Sequence, residues 1–207
     1  MKQIKVNNIF HSIQGEGFNT GLATIFIRLS GCNERCEFCD TDFKTGIFLY
    51  VEQILERLQE YHCKNLTWTG GEPTMQLSTE IVEWFNDLGY TQFIETNGSF
   101  PMPNGLFYIS CSPKLVSMER LKQNISGYCV GEFRCVIGLN EKGIPILPPE
   151  IEKMPYASNY YVSPLFTGYI HEKYELDPIN VQMAVDWVKA DPRWKLSIQV
   201  HKLLKIQ

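Results

Sequence analysis

A chain of 207 residues, 44% hydrophobic and 20% charged, is long enough for one domain with a substantial core but short for a closed eight-stranded α/β barrel. The net charge of −4, the pI near 5.6 and the lack of any long Lys/Arg block argue against a nucleic-acid footprint and favour a small-molecule substrate. No apolar run reaches bilayer length, and Met1-Lys-Gln-Ile-Lys-Val6 does not read as a secretory signal, so a reducing cytoplasmic setting without membrane attachment is expected.

Residues rich in β-branched and aromatic side chains predict strands at Ile4–Phe10 and Ala23–Leu29. Val51, Ile54, Leu55 and Leu58 then recur at helical spacing. A strand at Leu66–Thr69 precedes a second amphipathic helix, in which Ile81, Trp84, Phe85 and Leu88 share a face. Ser78 is its expected N-cap and Gly89 its stop. Strands follow at Gln92–Glu95, Leu106–Ser110, Glu132–Ile137 and Tyr160–Val162, with only the short segments Met118–Asn124 and Pro148–Lys153 between them. The stretch 144–150 reads as a surface loop. Asp177-Pro178 opens a last helix carrying Val181, Ala184, Val185 and Val188, and Leu196–Val200 reads as a closing strand with His201 in a structural role at its end. Strands alternating with helices predict an α/β, mainly parallel sheet. The thin helical content past Phe93 predicts a partial, open TIM-like barrel, forming a single domain over 1–207.

Seven cysteines are an odd number, and three of them lie within eight positions: Cys32, Cys36 and Cys39, spaced C-x3-C-x2-C in a polar loop spanning about 30–45. That clustering argues for a metal centre over a disulfide framework. Structural zinc takes four protein ligands, and no fourth Cys or His lies near in sequence. A [4Fe–4S] cluster held by three cysteines keeps one iron open for a substrate or cofactor. Spacing alone favours iron–sulfur but leaves open a zinc or electron-transfer module.

Together with Gly70-Gly71-Glu72-Pro73 after the next strand, the cysteine motif resembles the radical S-adenosylmethionine (SAM) superfamily. The resemblance implies a cluster whose open iron binds SAM and whose reduction starts hydrogen abstraction. Glycines suit close backbone approach to a ligand, and Glu72 suits an ammonium group. Ser12-Ile-Gln-Gly-Glu-Gly17, Arg28, Cys39-Asp40-Thr41, Glu95-Thr-Asn-Gly98, Ser112-Pro-Lys114 and Gln199-Val-His-Lys202 narrow the likeness to the 7-carboxy-7-deazaguanine synthases. Members of that family contract the ring of 6-carboxy-5,6,7,8-tetrahydropterin, release ammonia and use Mg²⁺, in the route to queuosine-type deazapurines.

Carried over position by position, the resemblance implies substrate contacts at Ile13, Gln14, Gly15, Arg28 and Thr69, with Gln207 at the place of a terminal residue that closes the pocket. It implies SAM contacts at Phe38, Cys39, Asp40, Gly71, Glu72, Ser112, Pro113, Lys114 and Ser163, and a Mg²⁺ ligand at Thr41. Arg28 has its own rationale, since a guanidinium fork suits a carboxylate. Two positions depart from the family pattern: Ser163 precedes Pro164 where Gln is usual, and Gln207 stands where proline is usual. The resemblance further implies a flavodoxin- or ferredoxin-type electron donor and a homodimer. The nearest rival is a radical SAM activase acting on a glycine of a partner protein, which leaves Ser12–Gly17 and Arg28 without a role.

Overall fold

The alternation expected of strands is carried through to three dimensions, and it sorts the chain into an apolar outer layer and a polar lumen. In the computed structural model, which describes residues 2–39, 41–167 and 175–206, strand β7 (Glu132–Leu139) sends Phe133, Cys135 and Ile137 into the apolar core. Glu132, Arg134 and Val136 therefore face the other way. Strand β2 (Ala23–Leu29) does the same, with Ile25, Ile27 and Leu29 fully buried and Phe26 and Arg28 on the opposite face.

Strand β1 (Gln3–Ile13) forms an antiparallel hairpin with β2, and the short edge strand β3 (Ile47–Tyr50) pairs with the far end of β1. From β2 the sheet continues in parallel through β4 (Asn65–Gly70), β5 (Thr91–Thr96), β6 (Tyr108–Cys111), β7, β9 (Asn159–Pro164) and β12 (Trp194–Leu196). The two-residue strand β8 (Pro145–Ile146) folds back onto β7, giving a 10-stranded sheet whose ends, β3 and β12, do not pair among the described residues. The barrel is therefore open. Strands β10 (Phe166–Thr167) and β11 (Glu175–Leu176) form a separate small ribbon.

Helices α1 (Val51–Leu58), α2 (Thr79–Asp87), α3 (Met118–Ile125) and α4 (Pro178–Ala190) all contribute to the core that covers the outer face, while α5 (Val200–Leu204) follows β12. Helix α4 opens as its sequence requires: Pro178 needs no donor in the first turn, and the Asp177 carboxylate accepts from the backbone N–H groups of Ile179 and Asn180. Helix α2 follows Ser78, whose hydroxyl bonds the side chain of Glu80 rather than the backbone, and it ends before Gly89 at φ 78°. One buried amide stitches this region. Gln92, fully buried, accepts from Trp68 Nε1 at 2.8 Å and donates to Val82 O and Asn86 Oδ1, tying β4, β5 and α2 together.

Two expectations are corrected. The predicted strand Leu196–Val200 stops at Leu196, and Val200 and His201 lie in helix α5. The reason is tertiary: the Ser197 hydroxyl accepts from Gly17 N–H and Val200 N–H donates to Gly15 O, so the chain leaves the sheet to meet the segment after β1. The predicted strand at Leu106 begins only at Tyr108, and β3 had no counterpart in the sequence reading. No helix among the described residues is long and apolar enough to cross a membrane.

Candidate active site

Parallel strands end on the same side, so the segments that follow β2, β4, β5, β6, β7 and β9 gather at one mouth. There they surround a cavity of about 640 Å³. Its walls include Cys32, Cys36, Phe38, Cys39 and Thr41 from the loop after β2, Thr69 and Gly71 from β4 and the turn beyond it, Ser112 and Lys114 after β6, and Ser163 on β9. The three cysteines of the motif thus share one wall. Among the described residues no three His, Cys, Asp or Glu side chains are drawn tightly enough to grip a single metal ion. A four-iron cluster does not need such convergence, since each cysteine ligates a different iron.

Burial raises the Cys32 thiol above its ordinary range. It is also the main reason that Cys36 is pushed up to about 11, with the nearby Glu34 carboxylate adding to it and Lys114 opposing. Ligation would displace those protons, because a metal binds thiolate. Lys114 sits across from the cluster loop, 5.5 Å from the Phe38 ring centre, and donates to Ser112 Oγ at 2.6 Å. The donor set fits a cluster, and a second observation fits a further ligand beside it. Ser163 Oγ, at a residue only 7% exposed, lines the cavity yet has no hydrogen-bond partner among the described residues. Buried hydroxyls rarely stay orphaned, so this one is suited to a polar atom of a bound molecule.

The glycines after β4 work differently from the sequence expectation of close approach to a ligand alone. A side chain on Gly71 would put its Cβ 1.9 Å from Gly31 O, and one on Gly70 would lie 2.1 Å from Leu29 O. The missing side chains let this turn press against the start of the cluster loop, where Gly71 N–H bonds Leu29 O and Glu72 N–H bonds Gly31 O. Glu72 is fully buried and does not line the cavity. Its carboxylate accepts from Thr74 N–H and hydroxyl, Thr96 hydroxyl and Asn97 N–H. Burial raises its pKa while those four donors pull it down. Within this chain Glu72 locks the turn to β5. The segment after β5 continues the lock, with Asn97 Nδ2 donating to Asn33 and the Ser99 hydroxyl to Glu34. Exchanging Glu72 for Gln keeps the shape but turns a donor toward groups that themselves donate. Denaturant unfolding should show a loss of about 1–3 kcal/mol in stability.

The substrate set expected near the end of β1 is partly at the wall and partly just behind it. Thr69 lines the cavity, and the strand register places Arg28 directly beside it. Arg28 Nη1 donates to Thr41 Oγ1 at 3.3 Å and lies over the Phe10 ring, so the two residues expected at the substrate carboxylate and at Mg²⁺ are in contact. Gln14 is buried and donates to Glu95, which does line the cavity. Gly15 packs on His201, where an added Cβ would lie 2.2 Å from Nδ1. Ile13 closes β1, and Pro113 lies between two wall residues, Ser112 and Lys114, without lining the cavity itself. Asp40 and Gln207 lie outside the described residues.

The matching family model is that of the Radical SAM superfamily, over residues 26–145. Two relatives named 7-carboxy-7-deazaguanine synthase match almost end to end. That of Bacteroides thetaiotaomicron is 32% identical over 98% of both chains. That of Haemophilus influenzae is 37% identical over 96% of this chain and 92% of its own. The chain belongs to the 7-carboxy-7-deazaguanine synthase family of radical SAM enzymes. The crystal structure of QueE from Escherichia coli shares the fold, with a TM-score of 0.69 at 20% identity over 96% of this chain and 95% of that one. Membership in the radical SAM family carries a [4Fe–4S] cluster and SAM, and the cysteine wall and the orphaned Ser163 hydroxyl of the cavity fit both.

As a synthase-family site, the cavity also holds charged residues to which the sequence reading attached no role. Arg134 lines its floor, buried, with Nη1 3.2 Å from Glu16 Oε2, Nη2 paired to Glu95 and Nε 3.2 Å from Glu132 Oε1. Burial lowers the pKa of this guanidinium and Glu16 counters it. Gln199 and Lys202 reach the same cavity from the C-terminal segment. One signal was available: Glu132 and Arg134 stand two apart in an otherwise apolar strand, which puts two charges on one buried face.

Proposed function

We propose that this chain is a 7-carboxy-7-deazaguanine synthase, converting 6-carboxy-5,6,7,8-tetrahydropterin into 7-carboxy-7-deazaguanine with loss of ammonia. The observation that carries the reading is the joining in one cavity of three cluster cysteines with Thr69 and the charged floor beneath it. When bound, the cluster and SAM supply the one-electron chemistry that begins with hydrogen abstraction from the substrate, and SAM is regenerated.

The chain's own residues then bind and orient. Phe38, Cys39, Gly71, Ser112, Pro113, Lys114 and Ser163 contribute to the SAM side, and Ser163 offers an unpartnered hydroxyl. Thr41 supplies a hard oxygen suited to Mg²⁺, with Arg28 beside it for the substrate carboxylate. Ile13, Gln14, Gly15 and Thr69 hold the heterocycle. Orientation of this kind substitutes for translational freedom that the reaction would otherwise have to lose at the barrier. The same reading includes an external flavodoxin- or ferredoxin-type electron donor and a homodimer. Glu72, its carboxylate already engaged, acts by fixing the turn rather than by touching SAM.

The test is anaerobic incubation of the reconstituted protein with SAM, reductant, Mg²⁺ and 6-carboxytetrahydropterin. The expected product is 7-carboxy-7-deazaguanine, formed in many equivalents per SAM and lost when Mg²⁺ is chelated. Absence of that product, or one SAM consumed per product, would overturn the assignment.

A further inference from the structure

Between the first two cysteines of the motif the chain carries Asn33, Glu34 and Arg35, and of these only the acid is turned inward. Asn33 and Arg35 are exposed, whereas Glu34 is 8% exposed and lines the cavity beside Cys32 and Cys36. Its Oε2 lies 3.9 Å from Cys36 Sγ, and its Oε1 accepts from the Ser99 hydroxyl at 3.2 Å. The neighbouring Asn33 accepts from Asn97 Nδ2 at 3.1 Å, so two bonds from the segment after β5 fix the direction in which Glu34 points.

Burying a carboxylate costs free energy, and a hydroxyl and a thiol are neutral donors that leave its charge in place. That charge reaches the sulfur. Burial is the main reason that the Cys36 thiol is raised, the Glu34 carboxylate is the next, and Lys114 opposes them. A charge that disfavours thiolate at this sulfur also disfavours an added electron on iron bound to it, by Coulomb repulsion in a poorly screened interior. The potential of an iron–sulfur cluster follows the net charge and the hydrogen bonds around it. The bond from Glu34 N–H to Cys32 Sγ at 3.4 Å acts in the opposite sense, but it belongs to the backbone and is common to every side-chain variant at this position.

We propose that the Glu34 carboxylate holds down the reduction potential of the cluster bound by Cys32, Cys36 and Cys39, making the reduced cluster a stronger one-electron donor. The step concerned is the transfer of one electron from an external low-potential donor to the oxidised cluster, in which no bond forms or breaks. The inference rests on the cluster that family membership carries and is independent of the pterin reading.

The test uses the full chain, reconstituted anaerobically. Its midpoint potential is read by redox titration in the presence of mediators, with the EPR signal of the reduced cluster as the measure and iron and sulfide content determined alongside. SAM is left out, so that a contact between Glu34 and SAM cannot produce the shift. Glu34→Gln, which keeps the shape and removes the charge, should raise the ratio of reduced to oxidised cluster at a fixed poise roughly tenfold, an upward shift of about 59 mV. Glu34→Asp keeps the charge one methylene farther back and should shift by less. Lys114→Met removes a charge of opposite sign acting on the same sulfur, and it should move the potential downward. A merely structural role would change iron content or Tm without a shift whose sign follows the charge removed. An unmoved or lowered potential in Glu34→Gln overturns the proposal, as does a shift in Glu34→Asp equal to that in Glu34→Gln. If the Gln variant takes up no iron, Lys114→Met decides: a lowered potential supports the proposal, and an unmoved or raised one overturns it. A wild-type chain that takes up no cluster overturns it outright. One that shows these shifts yet makes no deazaguanine overturns the functional reading alone.

Discussion

Cys36→Ala should yield a protein that folds but neither retains iron after anaerobic reconstitution nor makes product. Cys36 is one of the three cluster-loop thiols on the cavity wall; Cys135, which also borders the cavity, lies on β7 and is buried in the core, as is Cys111. Two thiolates leave two irons of a four-iron cluster without protein ligands, which is too few for stable retention. The Cys36 side chain makes only a long contact to Glu34 Oε2 at 3.9 Å, so its removal costs the fold little. Iron and sulfide content, visible absorbance and thermal unfolding together check this. A Cys36→Ala protein with a full complement of iron and normal turnover would remove the basis for placing the chemistry in this cavity.

Gly71→Ala should be the more damaging change to the structure, although it adds a single methyl group. The added carbon would sit 1.9 Å from Gly31 O and 2.4 Å from Gly31 C, both backbone atoms that cannot rotate away. Either the turn after β4 or the start of the cluster loop must move, breaking the bonds from Gly71 N–H to Leu29 O and from Glu72 N–H to Gly31 O. A cost of about 3 kcal/mol is expected, with a fall in Tm of roughly 6–12 °C. Iron retention should drop with it, because Cys32 directly follows the displaced Gly31. Gly31→Ala is the instructive comparison. That residue has φ 91° but nothing within 4 Å of a new Cβ, so the cost is backbone strain alone, about 1–2 kcal/mol. Equal effects for the two variants would show that the close approach at Gly71 does not govern the loop.

These two sites also mark where sequence reading reaches and where it stops. The cysteines are informative in one dimension, because three thiols within eight positions must end up near one another whatever the fold. Gly71 is visible as a motif residue, but its reason is not: the atom it makes room for belongs to a backbone 40 positions earlier in the chain. Glu72 illustrates the same limit. Its carboxylate suits a ligand's ammonium group as chemistry, and only the packing of the turn against β5 brings Thr96 and Asn97 to occupy it.

Helices α1, α2 and α4 and most strands were legible because their signal is local: apolar spacing, the Asp177-Pro178 start and the Gly89 stop all act through neighbouring residues. Strand β3 was not, since four residues at a sheet edge with Ile47 and Phe48 exposed have no periodicity of their own and are strand only because β1 pairs with them. The end of the chain failed for a related reason. Leu196–Val200 has the composition of a strand, but Gly15 O takes the Val200 N–H and Gly17 N–H bonds the Ser197 hydroxyl, and Val200 is drawn into a helix.

By itself, then, the sequence determined the three-cysteine motif, the open α/β barrel and the family of the chain, because each is written in spacing or in short contiguous motifs. Tertiary structure alone decided what surrounds that cluster. The charges that meet at Arg134 come from positions 16, 95, 132 and 134, and only the registered, parallel arrangement of β5, β6 and β7 with the turn after β1 brings them into one cavity.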